Sequence, residues 1–485
     1  MHSTTTMCRT AVVSLAAAGF SLVSICASAA VPGITGPAFN LVASADYISQ
    51  PDGAMIFSFG YGCDSVPAGF APFGGNCPQM QLPGPTLVVT EGDTVTVHLR
   101  NNLPIAAGKT SIVFPGFRVT TGGTGVSGLL AREAAIGGTV TYSFVATKPG
   151  TYVYYSGTQS DLQIEMGLYG AMVVRPATPP ASCKPKGQFS LSSSAYDHPS
   201  TCYDREYMFQ LSEMDSRIHD AVLAQVQACS AAPCPQLIAK TEPYRPNYYL
   251  LNGRSMPDSM DTSYSASYAH QPYNANPHMH PGELVLMRII GQGRWQHPFH
   301  FHGNHARVLA RDANLLLSSV DNSSLAGPLL FTTPTVSGQT QDQIFTWTGK
   351  GLNWDVYNHR PGDNPLVPCH PDRNGYNDLA GSPNFGEWCA DHLKPIPVAP
   401  PDPNIVAIGQ WYAGTPYLGL QNTGSFTNTN EPPGTLNQNP PAESGYAYMW
   451  HSHNEREITT NDVFPGGMMA MLLIDPASWF IDERL

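Results

Sequence analysis

The sequence predicts an all-β protein built from tandem β-sandwich domains with long loop insertions. Two observations carry this. Short stretches alternate apolar and polar side chains, the period of a strand with one buried face; Val95, Val97 and Leu99, separated by Thr96 and His98, are the clearest case. Turn formers are also abundant, with 45 Gly and 44 Pro, while charged residues make up only 12%. This composition suits a loop-rich β protein better than a helical bundle or a disordered acidic tail. At a net charge of −12, nucleic acid and anionic membrane surfaces are not expected partners.

Taken in order, residues 1–29 read as a secretory signal peptide. A short, weakly basic start precedes an apolar run at 11–25, too short to span a bilayer comfortably, and Ala27-Ser28-Ala29 is a small-residue cleavage site. No later segment reads as transmembrane, so the expected location is periplasmic or extracellular. Cys8 and Cys26 would leave with the leader. The remaining cysteines form four local pairs: Cys63 with Cys77, Cys183 with Cys202, Cys229 with Cys234, and Cys369 with Cys389. They suggest disulfides made in an oxidising compartment. Sequence does not fix connectivity, and nearest-neighbour pairing is the expectation.

Residues 30–176 read as the first sandwich, with strands within 83–99 and at 139–144, 151–155 and 168–174. Residues 177–200, rich in Pro, Ser and Lys, read as a linker. The second sandwich takes 201–485, with strands at 204–211, 248–251, 283–290, 307–310, 343–348, 405–411, 446–450 and 468–474. Ile218, Val222 and Val226 predict a short surface helix over 218–228. Two insertions, at about 312–340 and 351–445, interrupt this half. The second is too long for hairpin loops and reads as stapled, functional or interface-forming. Its aromatics, Trp354, Tyr357, Trp411 and Tyr412, are placed as loop cores.

The chemistry concentrates in His297-Pro298-Phe299-His300-Phe301-His302-Gly303. On an extended strand His300 and His302 project from one face. His451-Ser452-His453 repeats the spacing. Together the two pairs predict a four-imidazole patch, and nitrogen donors favour copper over most divalent first-row metals. A third pair, His278-Met279-His280, reads either as an exposed loop pair or as a separate copper site with a thioether. His305 is placed as a surface residue or as a second-shell ring orienting a ligand. Glu455 and Glu457 read as solvated carboxylates, with an acid or base role beside the metal as the alternative; Glu457 is also placed, with His305, among residues that orient the ligands.

These motifs resemble those of the multicopper oxidases, secreted proteins built from cupredoxin β-sandwiches. Pro83-Gly84-Pro85-Thr86 with Glu91-Gly92-Asp93 is similar to the family's first-domain opening, and Gly167-Leu168-Tyr169-Gly170 to that domain's closing strand. His297 to Gly303 matches the His-Pro-x-His-x-His-Gly copper motif. His451-Ser452-His453 with Gly467-Met468 resembles the final His-Cys-His motif and its later Gly-Met. Only about 120 residues separate Val174 from His297. Two cupredoxin-like Greek-key domains therefore fit better than three, the second much elaborated.

The resemblance also marks what is missing. The family holds three cluster coppers with four His-x-His pairs. In this sequence Val113 and Pro115 take the places of the first pair, and Tyr155 and Gly157 those of the second. His300, His302, His451 and His453 match the other two pairs. Ser452 stands where the family's cysteine binds a blue copper. His297 and Met468 remain from that site, and Glu457 takes its second imidazole's place by spacing. The resemblance thus implies one or two coppers on the second domain, no blue type 1 copper, and no ordinary laccase-type four-electron oxygen reduction. It implies a copper-dependent oxidoreductase acting on an unidentified small molecule or redox partner protein, and a homotrimer. The rival readings are a non-catalytic copper carrier or store and a metal-free scaffold that binds a partner.

Overall fold

The computed structural model describes residues 31–65, 77–186, 189–229, 231–348, 370–373, 377–380, 414–418, 444–475 and 481. The leader at 1–29, the strand at 405–411, the aromatics Trp354, Tyr357, Trp411 and Tyr412, and the pair Cys369 and Cys389 lie outside these residues. Among the described residues no helix is long and apolar enough to cross a membrane.

Two β-sandwiches form, as the alternation predicts. In the first, one sheet runs Ile34–Thr35, Gly84–Thr90, Tyr169–Arg175, Gly150–Tyr155. The facing sheet runs Met55–Cys63, Ala38–Ser49, Thr94–Asn101, Thr139–Val145, Thr120–Gly123. Val95, Val97 and Leu99 turn inward against Val140, Tyr142 and Phe144, while the residues between them stay at least partly exposed. The second sandwich has one sheet in the order Tyr248–Leu251, Arg205–Met214, Leu284–Gly291, Thr340–Thr346, Ala306–Arg311, Asn314–Leu315. The other runs His278–Met279, Met469–Ile474, Ser444–Ser452, His297–Phe301, Thr332–Thr335.

The sandwiches pack face to face, and this explains strands that lack alternation. Tyr169–Arg175 is buried along almost its whole length. Ala171 and Val173 cover Met208 and Ile290 of the second sandwich, while Met172 and Val174 fill the first core. Leu284–Gly291 behaves likewise, with Val285, Met287 and Ile289 in the second core. Arg288, on the opposite face, is fully buried between the sandwiches. Its guanidinium lies 2.8 Å from Glu206 and 3.6 Å from Asp342, and donates to the Thr151 hydroxyl at 3.0 Å. Glu206 also takes Arg175 at 2.6 Å and the backbone N–H of Val31 at 3.2 Å. Burial alone would raise the Glu206 carboxyl, but Arg175 and Arg288 hold it below its usual range.

Two stretches are more ordered than their composition suggests. Within the expected linker, Ser193–Ser194 pairs with Cys202–Tyr203, and Tyr196 is buried with its hydroxyl 2.5 Å from Asp342. Within the first insertion, Thr332–Thr335 becomes the neighbour of the His297–Phe301 strand, with Thr333 and Thr335 turned inward. β-Branched threonines suit such a half-buried edge.

The predicted helix forms as Ser216–Ala228, capped by the Asp215 side chain on the N–H of Arg217. Ile218 and Val222 dock it on the first sandwich. Three of the expected disulfides are formed: Cys63–Cys77, Cys183–Cys202 and Cys229–Cys234.

Candidate metal centre

The two His-x-His motifs lie on neighbouring antiparallel strands. His300 pairs directly with His451, and Phe299 with Ser452. Phe299, Phe301 and Trp450 face the core, because their bulk is needed there. Strand alternation then puts His300 and His451 onto the other face, and His302 and His453 follow one residue past the strand ends. One ring nitrogen each from His300, His302 and His451 lies within 4.8 Å of the others. The closest approach is 3.3 Å, between the Nε2 atoms of His302 and His451. The His453 ring centroid is 4.9 Å from that of His300, and its side chain is 52% exposed. Three converging rings are thus nearly buried and the fourth stands at the mouth.

Hydrogen bonds orient two of these rings. His451 Nδ1 is 2.7 Å from the backbone carbonyl of Ser452. A carbonyl only accepts, so this nitrogen carries the proton and leaves Nε2 as the lone-pair donor toward the patch. His300 Nδ1 is 2.7 Å from the Thr332 hydroxyl, a partner the sequence did not reveal. Burial and the other rings lower the pKa of His300 to about 4. Burial lowers that of His451 as well. In the metal-free protein His300 is therefore expected to remain neutral down to roughly pH 4. An NMR titration of its ring checks this, and a midpoint near the ordinary histidine value of about 6.5 would contradict it.

A metal fits this donor set. Imidazole–metal bonds of about 2.0–2.1 Å bring ligand nitrogens on one ion to roughly 3–4 Å apart. The His302 and His451 pair already has that spacing, and the full triad is only slightly wider.

The opposite face of the same strands holds the residues that resemble a blue-copper site. Glu457 corrects an expectation. It is 1% exposed rather than solvated, whereas Glu455 is open to solvent. Glu457 Oε2 accepts from the Ser452 hydroxyl at 2.5 Å and lies 2.9 Å from His297 Nδ1. Met468 is fully buried nearby, with its N–H bonded to the Glu457 carbonyl and its carbonyl to the N–H of Ser452. His297, Ser452 and Glu457 therefore share one pocket, with Met468 joined to it through its backbone and no thiol beside them among the described residues. Glu213, which sequence reasoning missed, completes it at 2.9 Å from His297 Nε2. The clue was available: Glu213 follows Phe209 and Leu211 at alternate positions, so a charge stands on a core-facing stripe.

The other candidates lie elsewhere. His278 pairs with Asp475 at 2.7 Å and His280 with Glu283 at 3.1 Å, while Met279 turns into the core. Neither histidine belongs to a metal-capable group among the described residues. His305 packs edge-on against Phe331, whose ring also meets His300 edge-on. In the first sandwich Val113 and Tyr155 bridge each other. Gly157 lies so close that an added Cβ would stand 2.8 Å from Val113. With Phe114, Phe117, Leu130 and Tyr142, Val113 and Tyr155 line an open apolar cleft of about 420 Å³.

These features define a tandem cupredoxin-like sandwich protein with a histidine centre on its second domain. Residues 78–179 and 240–329 each match a family model described as multicopper oxidase, and the second match contains His297, His300 and His302. Over these two stretches the chain is similar to multicopper oxidases. Among curated relatives, copper resistance protein A of Pseudomonas syringae pv. tomato is 40% identical over 98 residues, 20% of this chain and 15% of that protein. Copper resistance protein A of Escherichia coli is 32% identical over 132 residues, 27% of this chain and 18% of that protein. An L-ascorbate oxidase of Brassica rapa subsp. pekinensis is 35% identical over 96 residues, 19% of this chain and 16% of that protein. The matched stretches thus span less than a fifth of these relatives. A blue copper oxidase from Nitrosomonas europaea superposes with a TM-score of 0.48 at 16% identity, over 90% of this chain and 85% of that one.

Proposed function

We propose that this chain is an exported copper protein that binds one or two coppers through His300, His302, His451 and His453, and catalyses oxidation at that reduced site. The observation that supports the reading most is the convergence of three nearly buried imidazoles on one point. The leader-like start and the three disulfides support export. Copper bound there supplies a one-electron couple and an open coordination position. The chain's own residues set the rings: Ser452 through its carbonyl for His451, and Thr332 through its hydroxyl for His300. The exposed His453 leaves the site open on one side to a small molecule or a redox partner.

Ser452 and Glu457 favour a second reading, a copper carrier without turnover, because a hydroxyl bonded to Glu457 stands where the resembled family has its thiolate. The test is copper content after loading, with optical and electron spin resonance spectra, followed by an oxidase screen. One or two coppers per chain, no intense blue band and turnover of a substrate are expected. Copper binding with no turnover across the screen would favour the carrier. A protein that takes up no copper would sink both readings. An intense blue band would refute the absence of a thiolate ligand.

A further inference from the structure

The pocket behind the second His-x-His has its own chemistry. The His297 side chain is completely buried. Glu457 Oε2 lies 2.9 Å from its Nδ1, and Glu213 Oε2 lies 2.9 Å from its Nε2. Both carboxylates are buried too. A neutral imidazole has one N–H and one lone pair. Between two ionised carboxylates it would press that lone pair against an oxygen. Either the ring carries a second proton, or a carboxyl does.

The remaining contacts of the two acids favour the ring. Glu213 Oε1 accepts from the backbone N–H of Arg294 at 2.7 Å and of Trp295 at 2.9 Å. Glu457 accepts from the Ser452 hydroxyl and, at 2.9 Å, from the Asn454 amide. Donors of this kind stabilise ionised carboxylates. A metal does not fit the pocket, because the carboxylates stand at opposite nitrogens of one ring and cannot share an ion with it. Around the clamp, Thr335 bonds the His297 backbone, and Tyr244 lies 3.3 Å from Glu213 and 2.7 Å from Glu165. The Arg294 guanidinium sits over the Tyr244 ring.

We infer that a proton occupies the place of the blue copper: His297 is an imidazolium clamped between Glu213 and Glu457, and it positions the second His-x-His for metal binding. The link to the patch is short. Glu457 holds the Ser452 hydroxyl, and the Ser452 carbonyl fixes the His451 ring. His297 is thus a positioning residue, and its role at the patch rests on the copper reading above. Burial pushes its pKa down, but the hydrogen bonds to Glu213 and Glu457 prevail and raise it to about 9. Because folding raises this pKa, the clamp's contribution is fully present below about pH 6.5 and is lost as pH rises through about 9.

The experiment uses the full mature chain labelled with ¹⁵N-histidine, with His297 assigned through His297→Gln. Both ring nitrogens should carry protons at pH 7.5 and lose one only near pH 9, and the His297 N–H signals should survive addition of diamagnetic Cu(I). Cu(II) affinity is then followed against pH by chelator competition. Wild type should weaken between pH 8 and 10, by about tenfold, the scale of losing a partner that orients a ligand. His297→Gln should bind about tenfold more weakly at pH 7.5 and show no such drop. A merely structural role would leave the two pH profiles parallel, and that result overturns the positioning claim. A single ring N–H at pH 7.5, or loss of the His297 N–H signals on Cu(I) addition, overturns the imidazolium. If the wild type binds no copper, the positioning role falls with the copper reading, while the NMR result on the unsubstituted protein still decides the imidazolium.

Discussion

Replacing His300 and His451 together by alanine is expected to weaken Cu(II) binding by roughly a thousandfold or more, while the fold is retained. Removing a partner that merely orients a ligand costs about 10–100-fold, and here two direct donors of a three-ring cluster go at once. Both side chains project away from the apolar core, so truncation leaves Phe299, Phe301 and Trp450 packed as before. Chelator competition read beside circular dichroism separates lost metal from lost fold. The control is His278→Ala with His280→Ala, expected to change affinity by less than about threefold, because those rings are committed to Asp475 and Glu283. If the control variant lost the copper and the His300 and His451 variant kept it, the metal would belong to the His278 loop.

The largest loss of stability is expected from Arg288→Ala. One guanidinium, buried between the sandwiches, answers Glu206, Asp342 and Thr151. Removing one member of a buried ionic group costs about 3–5 kcal/mol, because the acids left behind remain desolvated. Arg175 still reaches Glu206, but Asp342 keeps only the hydroxyls of Thr151 and Tyr196 among its nearest partners. Arg288→Lys should recover only part of the loss, since a point charge cannot span both acids as a planar fork does. Urea unfolding curves measure this. A shift worth less than about 1 kcal/mol for Arg288→Ala would mean that the network is wet and weak.

How much was legible beforehand depended on the range of the interaction. Alternation at Val95, Val97 and Leu99 is a local rule, and it fixed strands and inward faces. The His-x-His pairs are local too, so which ring faced which side followed from strand parity alone. Their convergence was expected as a patch, but parity alone does not produce it. It needed the register that sets His300 against His451, and Thr332, from a stretch read as an insertion, to hold His300. Of the readings open for Glu457, the solvated one fails, because one-dimensional spacing carries no burial. Its carboxylate is buried only because His297 arrives from a strand 160 positions away to meet it. Glu213 and Arg288 were missed, although both are charges at buried strand positions, because their partners come from other strands.

The sequence by itself determined the all-β class, the strands of the two sandwiches and the local grouping of the cysteines, three pairs of which close as disulfides among the described residues. Periodicity and residue chemistry act over a few positions and are written directly in the chain. The tertiary structure alone decided the register and spacing at which the imidazoles meet, that a buried arginine joins the sandwiches, and that two carboxylates close on His297. Those outcomes depend on burial and on register between distant strands, where water is excluded and each charge must find its partner.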